Sequence, residues 1–288
     1  MPMTPRYQNN RAGSELNRRR FLAALSVATV AGVGLARCTV GGQPRTFAEA
    51  AAAAGPPAQA AGSESGLSAA GLLPPPAARV VLPGGGVLSS LPGHGDLLAL
   101  TLDDGVSSDV VRLYTQFAKD SGVRLTYFVN GRYYSWTENL DLLRPLVESG
   151  QIQLGNHTWS HPDLTTVPKS RVADELRRNH QFLMNTYGID ARPYFRPPYG
   201  KHDPGVDSVA ADLGYTADTL WSGSLTDENV VSEDQIVKMA DKYFTPQTIV
   251  IGHLNHLPVT HVYAQLVDII RSRALRTVTL NDVFLKPH

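Results

Sequence analysis

Apolar and polar positions along residues 79–288 follow two periods that predict two kinds of element. Short runs rich in β-branched and aromatic residues predict strands, and longer runs with apolar residues every three or four positions predict helices. The predicted strands are 97–102, 124–130, 152–154, 194–196, 215–221, 248–253 and 277–280, and the predicted helices are 108–120, 138–148, 169–187, one after Pro204, 233–243 and 259–273. This alternation predicts an α/β fold of parallel strands with outer helices, either a barrel or an open doubly wound sheet.

Polar side chains occur where four of the predicted strands end. They are Asp103 and Asp104 in TLDDG, His157 and His161 in HTWSH, Arg196 in RPPYG, and His253. In a sheet of parallel strands the chemistry gathers at the carboxyl ends of the strands. We therefore expect all six side chains on one face of the domain.

The spacing of His157 and His161 predicts a metal site. Imidazoles four residues apart are close enough to share an ion, and Pro162 favours a final turn or loop over the interior of a helix. Two histidines and one carboxylate leave a position open for water, which is typical of catalytic metal sites. One of the adjacent aspartates would complete the metal shell, and the other would take a proton from the water. The alternative is a structural role, with Asp104 in a turn and Asp103 as a helix cap.

Two further strand ends supply candidate catalytic groups. Arg196 could pair with Asp103, keep it ionised and orient it. The prolines after Arg196 fix the backbone, which could aim the Tyr199 N–H at a developing oxyanion. His253 could protonate a leaving group. The structural alternatives are a rigid surface turn for 195–200 and a core histidine for His253.

Residues 1–38 predict an export signal. Arg18, Arg19 and Arg20 precede Phe-Leu and the apolar stretch 23–35, a pattern that resembles a twin-arginine signal, with an ordinary secretion signal as the alternative. The apolar stretch is shorter than the roughly 20 residues of a spanning helix. Cys38 is the only cysteine, which excludes an internal disulfide. Two alternatives remain for it: it carries a lipid that anchors the protein in a membrane, or it has no such role. Arg37 stands where a lipoprotein signal has a small residue.

The composition after residue 38 predicts a linker followed by one domain. Residues 39–78 are rich in Ala, Gly, Pro and Ser, which cannot bury enough apolar surface to offset the entropy of ordering. Residues 79–288 are long enough for one sizeable core and are mildly acidic, since six of the arginines lie in 1–38. Residues 39–288 contain no Lys/Arg run, which argues against nucleic acid as a partner. We expect an exported monomer, extracellular or associated with the cell envelope.

Four motifs between about residues 95 and 284 together resemble the polysaccharide deacetylases of the nodulation-protein-B type, carbohydrate esterase family four. TLDDG, HTWSH, RPPYG and the IGH at 251–253 match the first, second, third and last motifs of that family. The resemblance implies a distorted (β/α) barrel and a divalent metal, zinc first, with cobalt, nickel or manganese as alternatives. It also implies hydrolysis of N-acetyl or O-acetyl groups on an acetylated glycan.

The resemblance implies a role for each matched residue. Asp103 would be the base, Arg196 its partner, Tyr199 the donor of an oxyanion amide, and His253 the acid. The implied metal ligands are Asp104, His157 and His161. We expect Asp227 to be the partner that tunes His253.

Two positions depart from the family pattern. Leu102 stands where Phe is usual, and we expect a change in packing rather than in chemistry. Glu228 stands where a Trp normally follows the aspartate, which changes the wall of the substrate groove. The predicted function is N-deacetylation of peptidoglycan or a chitin-like polymer. The alternatives are an O-acetyl esterase of the xylan type and an inactive glycan-binding protein of the same fold, which Glu228 favours.

Overall fold

The computed structural model of the protein describes residues 72–84 and 86–285. The predicted export signal, Cys38 and most of the predicted linker lie outside these residues. No helix within the described ranges combines the length and the apolar character that a bilayer crossing demands.

The described residues form strands and helices in the alternating order that the sequence predicts. The strands are β1 (Val80–Val81), β2 (Val87–Leu88), β3 (Leu97–Asp104), β4 (Leu125–Val129), β5 (Ile152–Asn156), β6 (Tyr194–Phe195), β7 (Ala217–Thr219), β8 (Gly223–Ser224), β9 (Thr248–His253), β10 (Arg276–Thr277) and β11 (Phe284–Leu285). The α-helices are α1 (Ser108–Ser121), α2 (Ser135–Glu138), α3 (Leu140–Glu148), α4 (Lys169–Tyr187), α5 (Pro204–Asp212), α6 (Glu233–Tyr243), α7 (Tyr263–Ser272) and α8 (Leu280–Val283).

The main sheet is parallel and curls into a half-barrel with helices on its outer face. Its strand order is β2-β7-β6-β5-β4-β3-β9-β8, and β10 pairs in parallel with the start of β3. β1 and β11 form a separate parallel pair. The predicted α/β fold of parallel strands, a distorted barrel with outer helices, is confirmed.

The alternation of side chains along β3 decides which residues face the inside of the barrel. Leu98, Leu100 and Leu102 belong to the large core between the sheet and the helices, whereas Ala99 belongs to the smaller inner core with Phe128. Successive side chains of a strand point to opposite faces. Asp103 therefore faces inward, on the same side as Ala99, at the carboxyl end of the strand.

Two predicted elements differ from the structure near the C-terminus. The predicted helix 259–273 is divided, because a 3₁₀ turn (Leu257–His261) ends at Val262 and α7 begins only at Tyr263. The predicted strand 277–280 is wrong beyond Thr277. Thr279 instead caps α8 in a reciprocal pair of hydrogen bonds with Asp282, which turns the chain into a helix at Leu280.

Candidate active site

The two adjacent aspartates are the last residues of β3 rather than the first residues after it. Asp103 lies opposite Phe128 in β4 and opposite His253 in β9. Asp104 has a φ of 76°, in the left-handed region. This departure from extended backbone ends the alternation of β3, and it brings the Asp104 carboxylate to the same cleft as Asp103.

Asp103 forms a buried ion pair with Arg196, which directly follows β6. Nη1 of Arg196 donates to Oδ1 of Asp103 at 2.6 Å, and the arginine is completely buried. The other donors of the guanidinium are also used: Nη2 donates to Oγ1 of Thr101 at 2.9 Å, and Nε donates to the carbonyl of Thr219 at 2.8 Å. This network fixes the position of the Asp103 carboxylate. The second oxygen, Oδ2, lies 3.5 Å from Nε2 of His157.

Asp104, His157 and His161 form the group that we call the Asp104 group. Oδ1 of Asp104 lies 3.5 Å from Nε2 of each histidine, and the three potential ligand atoms lie within 4.8 Å of one another. One carboxylate and two imidazoles are a donor set that zinc and other divalent transition metals accept. The residues present therefore fit the metal that the sequence predicts.

The electrostatics of the Asp104 group also suit a cation. Burial opposes ionisation of Asp104, but the hydrogen bond and charge of His157 hold the pKa of this carboxyl well below its usual range. Burial and the neighbouring His157 lower the pKa of His161 to about 4, so this imidazole is neutral at pH 7 and keeps a lone pair for a metal. Burial lowers the pKa of His157, but the two aspartates more than compensate and raise it. A bound cation would take the place of a proton on Nε2 of His157.

Groups behind the Asp104 group fix the orientation of its members. Nδ1 of His157 lies 2.7 Å from the carbonyl oxygen of Arg196, so this nitrogen carries the proton and Nε2 faces the cleft. Nδ2 of Asn255 donates to Oδ2 of Asp104 at 2.6 Å, which leaves Oδ1 facing the histidines.

Three buried asparagines shape the loop that carries the two histidines. Asn130 donates to the carbonyls of His157 and Thr158. Oδ1 of Asn156 accepts from the Thr158 N–H at 2.9 Å and from Nδ2 of Asn179 at 2.8 Å. These bonds hold the backbone in a loop with positive φ at Thr158 and His161. The predicted choice of a loop over a helix interior agrees with this conformation.

A buried glutamate of α4 holds the outer part of the same loop. Glu175 is fully buried, and it accepts hydrogen bonds from the backbone N–H of Ser160 at 2.6 Å and from its hydroxyl at 2.7 Å. Arg171 lies 2.6 Å from the same carboxylate and balances its charge. Since Ser160 directly precedes His161, Glu175 anchors His161 to the long helix.

His253, the last residue of β9, is paired with Asp227. Nδ1 of His253 lies 3.0 Å from Oδ1 of Asp227, and the His253 N–H donates to Oδ2 at 3.2 Å. Burial would lower the pKa of His253, but the hydrogen bond and charge of Asp227, together with Asp103 and Asp104, raise it to about 9. The imidazole is therefore protonated at pH 7, with Nε2 as its second N–H.

Asp103, the Asp104 group and His253 border one cleft of about 560 Å³ at the carboxyl ends of the strands. Tyr199 has a φ of 61°, and its exposed ring packs edge-on against His161 with the centroids 4.6 Å apart. Trp221 borders the cleft and lies over the Arg196 guanidinium, 5.5 Å from ring to cation. Glu228 is an exposed residue of the cleft wall, together with Asn229.

The structure brings together the residues that the sequence predicts for the site, and it adds some that the sequence did not single out. Six of the eight predicted residues border the cleft, and the other two, Arg196 and Asp227, pair with Asp103 and His253. For Tyr199, the contact that the structure defines is made by the ring, which packs against His161, rather than by the backbone amide. The residues that sequence reasoning missed are Trp221, Asn255, Glu175 and the three loop asparagines. Asn255 lies only two positions after His253, but no local pattern in the sequence indicates its contact with Asp104.

Comparison with known families identifies the same part of the chain. Residues 91–217 match the family model for polysaccharide deacetylase. This range contains the two aspartates, both histidines of the Asp104 group, and Arg196.

Three curated relatives have similar sequences over this region. Chitin deacetylase 1 of Cryptococcus neoformans var. grubii is 33% identical over 47% of this chain and 27% of that protein. The bifunctional xylanase/xylan deacetylase of Cellvibrio japonicus is 27% identical over 62% of this chain and 26% of that protein. The peptidoglycan-N-acetylglucosamine deacetylase PgdA of Listeria monocytogenes is 27% identical over 65% of this chain and 38% of that protein. The chain thus spans less than half the length of each of these relatives.

Solved structures share the fold. The chitin deacetylase from Colletotrichum lindemuthianum superimposes with a TM-score of 0.63 at 26% identity, covering 72% of this chain and 94% of that chain. BA3943 from Bacillus anthracis, a CE4 family pseudoenzyme, superimposes with a TM-score of 0.61 at 17% identity, covering 69% of both chains. At that identity the second likeness concerns the fold alone.

Proposed function

We propose that this chain, whose residues 91–217 match the polysaccharide deacetylase family model, is an exported, metal-dependent hydrolase that removes N-acetyl groups from a peptidoglycan or chitin-like glycan. One observation carries the proposal. The Arg196-bound carboxylate of Asp103, the Asp104 group and the protonated His253 all border a single cleft. An inactive glycan-binding protein would have no need of that combination.

The Asp104 group would hold the metal. Asp104 would bind through Oδ1, and His157 and His161 through Nε2, because these atoms face one another across the cleft. When bound, a divalent cation supplies Lewis-acid chemistry, polarising the acetyl carbonyl and making water a stronger acid. The carbonyl of Arg196 and the amide of Asn255 keep the ligand atoms turned toward the ion.

Asp103 is the general base of the proposed reaction. Its Oδ1 is occupied by Arg196, whereas Oδ2 faces the cleft beside His157. The guanidinium holds one carboxylate oxygen by a hydrogen bond, which leaves the other oxygen free to accept a proton from the attacking water. Arg196 itself is a positioning residue, since its donors are bound to protein acceptors.

His253 is the general acid of the proposed reaction. Asp227 binds Nδ1, so the proton that can be given away is the one on Nε2. An amine cannot leave a tetrahedral intermediate readily without a proton. A histidine whose pKa is about 9 carries that proton throughout the neutral range. After the transfer, Asp227 still holds the imidazole in its orientation.

Tyr199 supports the oxyanion in the proposed reaction. Two prolines precede it and fix the backbone, and Tyr199 itself has a positive φ at the edge of the cleft. A backbone N–H in this position would donate to the carbonyl oxygen as negative charge develops on it. The ring of Tyr199 covers His161 on the solvent side.

The test of this function is acetate release by the full chain. The protein is stripped with a chelator, reloaded with Zn²⁺, Co²⁺ or Mn²⁺, and assayed with acetylated chitooligosaccharides, peptidoglycan and acetylxylan. We expect release from an N-acetylated substrate that depends on the added metal. Release from acetylxylan alone would contradict N-deacetylation and identify an O-acetyl esterase. A folded, metal-loaded protein that releases no acetate from any of the three would contradict catalysis.

A further inference from the structure

A second cluster of metal-ligating side chains lies apart from the residues that border the cleft. It consists of His202, Asp207 and Asp218, which we call the His202 group, and its three potential ligand atoms lie within 4.8 Å of one another. Asp218 is in the middle of β7, Asp207 is in the first turn of α5, and His202 lies in the segment between the RPPYG motif and α5. The His202 group shares no residue with the Asp104 group.

The two carboxylates of the His202 group compete for one nitrogen. Nδ1 of His202 lies 2.8 Å from Oδ1 of Asp207 and 3.5 Å from Oδ2 of Asp218. One imidazole N–H can make one good hydrogen bond, and the shorter distance assigns it to Asp207. Within residues 72–84 and 86–285, no other side chain or backbone group donates a hydrogen bond to the Asp218 carboxylate.

Asp218 is therefore a buried carboxylate that has a like charge beside it and no good donor. The residue is only 7% exposed. Two carboxylates this close repel each other, and a shared proton or a bound cation would offset that repulsion.

We propose that the His202 group binds a second divalent transition-metal ion, of the Mn²⁺ or Zn²⁺ type. One imidazole and two carboxylates form a mixed nitrogen and oxygen donor set, which these ions accept at bond lengths of roughly 2.0–2.2 Å. The separations of 2.8 and 3.5 Å between the ligand atoms are short enough for one ion to contact all three. Binding would displace the proton from Nδ1 of His202.

A cavity beside the carboxylates gives the ion room and a route of entry. It has a volume of about 340 Å³ and is bordered by Asp207, Asp218 and Tyr215, among others. A catalytic or structural ion with three protein ligands completes its shell with water, and this space can hold that water.

The position of the His202 group indicates a structural role for the ion. His202 lies three residues after Tyr199, and Thr219, which follows Asp218, accepts the Nε–H of Arg196. An ion would tie the segment that carries Tyr199 to the strand that supports Arg196. We expect it to stabilise this side of the barrel rather than to contact substrate. The inference stands whether or not the proposed deacetylase activity is correct.

Metal stoichiometry of the full chain tests the proposal. Chelator-stripped protein is dialysed against Mn²⁺ or Zn²⁺ and its metal content is measured by mass spectrometry. We expect two ions per chain for the parent, one for Asp218→Asn, one for His157→Ala/His161→Ala, and none when these changes are combined. His261→Ala, which alters an exposed histidine paired with Glu233, should retain two. One ion in both the parent and Asp218→Asn would overturn the proposal and leave the group holding a shared proton.

Thermal unfolding provides the second measurement in case a variant folds poorly. In His157→Ala/His161→Ala protein, whose His202 group is intact, added Mn²⁺ or Zn²⁺ should raise Tm, because an ion that binds only the folded state stabilises it. Asp207 is partly exposed, so its substitution should disturb the fold less than that of Asp218. Asp207→Asn in the same background should reduce the rise. An unchanged Tm in the His157→Ala/His161→Ala variant would overturn the proposal.

Discussion

At the scale of single residues, the pairing of His253 with Asp227 predicts the alkaline limit of activity. Asp227 contributes to a His253 pKa of about 9, so the acid is charged below that pH and loses its proton as the pH rises through it. Asp227→Asn removes the charge and should lower this pKa by about 1–3 units. The alkaline limb of the pH profile of kcat should move to lower pH by the same amount.

A surface pair provides the matched control for that prediction. Glu233 lies 2.6 Å from Nδ1 of the exposed His261, the same geometry without the burial. Glu233→Gln should leave the pH profile unchanged. An alkaline limb that stays in place in Asp227→Asn would rule out His253 as the group that titrates there.

The buried Arg196–Asp103 pair predicts a large and coupled effect on stability. Arg196→Met leaves the Asp103 carboxylate buried without its cation, which should cost about 3–5 kcal/mol in the free energy of unfolding. Asp103→Asn in the same chain should recover part of this loss, since no uncompensated charge remains. Urea unfolding of the two single variants and the double variant measures the coupling. A loss of about 1 kcal/mol or less, typical of surface pairs, would contradict the assigned role.

The single residues that the sequence could predict are those whose chemistry is local. TLDDG places two carboxylates within five residues, and HTWSH places two imidazoles within five residues. The types and the spacing of these side chains indicate a shared task. Asn255 and Trp221 contact residues that are distant from them in the sequence: Asn255 donates a hydrogen bond to Asp104, which lies 151 positions earlier. Only the register of β3 against β9 makes that contact, and no local pattern contains it.

At the scale of elements, the loop of His157 and His161 depends on α4. Glu175→Gln keeps the size of the side chain but offers the Ser160 N–H and hydroxyl one carbonyl oxygen instead of two carboxylate oxygens. The loop should hold His161 less firmly, and affinity of the Asp104 group for Zn²⁺ should fall about 10–100-fold. A competition titration with a chelating dye measures this Kd.

Asp174 offers a neighbouring control on the same helix. Its carboxylate is half exposed and lies 3.3 Å from the same Arg171, but it does not contact the loop. Asp174→Asn should therefore leave the Zn²⁺ affinity unchanged. Equal affinities for the parent and Glu175→Gln would show that the loop does not need its anchor.

Periodicity predicted the long elements well because their faces are strongly amphipathic or fully buried. The bounds of α4 and α6 agree with the prediction at both ends. The errors lie where elements are short and side chains decide the ends: the predicted strand 215–221 is only Ala217–Thr219, and the predicted strand 277–280 ends at Thr277. Thr279 continues an apolar run in the sequence, yet its hydroxyl accepts from the Asp282 N–H and starts a helix. Capping of this kind overrides strand propensity.

At the scale of the whole molecule, the charge on the cleft wall predicts substrate preference. Glu228 adds an exposed negative charge to a cleft in a mildly acidic domain. One unit charge at close range is worth about 1 kcal/mol in water, or about fivefold. Glu228→Gln should raise kcat/KM for anionic peptidoglycan about fivefold relative to neutral chitooligosaccharides. Steady-state assays at low salt on both substrates measure the ratio.

The control variant makes the same change in net charge at a residue outside the cleft. Asp234 is an exposed acid in the first turn of α6. Asp234→Asn should not alter the ratio of the two kcat/KM values. A ratio that is the same in the parent and in Glu228→Gln would contradict a role of this residue in selecting substrate by charge.

The overall fold was predictable because a parallel sheet with outer helices follows from the order of elements. The order of elements alone left a barrel and an open sheet as alternatives, because the choice depends on where the short strands β2 and β8 pair, and these two-residue strands have no periodicity. The burial of the Arg196–Asp103 ion pair also follows from the curl of the sheet. The cleft is therefore a property of the assembled sheet.

The most direct test of the central claim is the activity of Asp103→Asn at full metal occupancy. Acetate release and metal content are measured on the same sample, with Asp109→Asn, an exposed acid of α1, as the control. If Asp103 is the base, kcat should fall about 10²–10⁴-fold while the metal content of the Asp104 group stays that of the parent. Parent-like turnover in Asp103→Asn with the metal bound would contradict the mechanism.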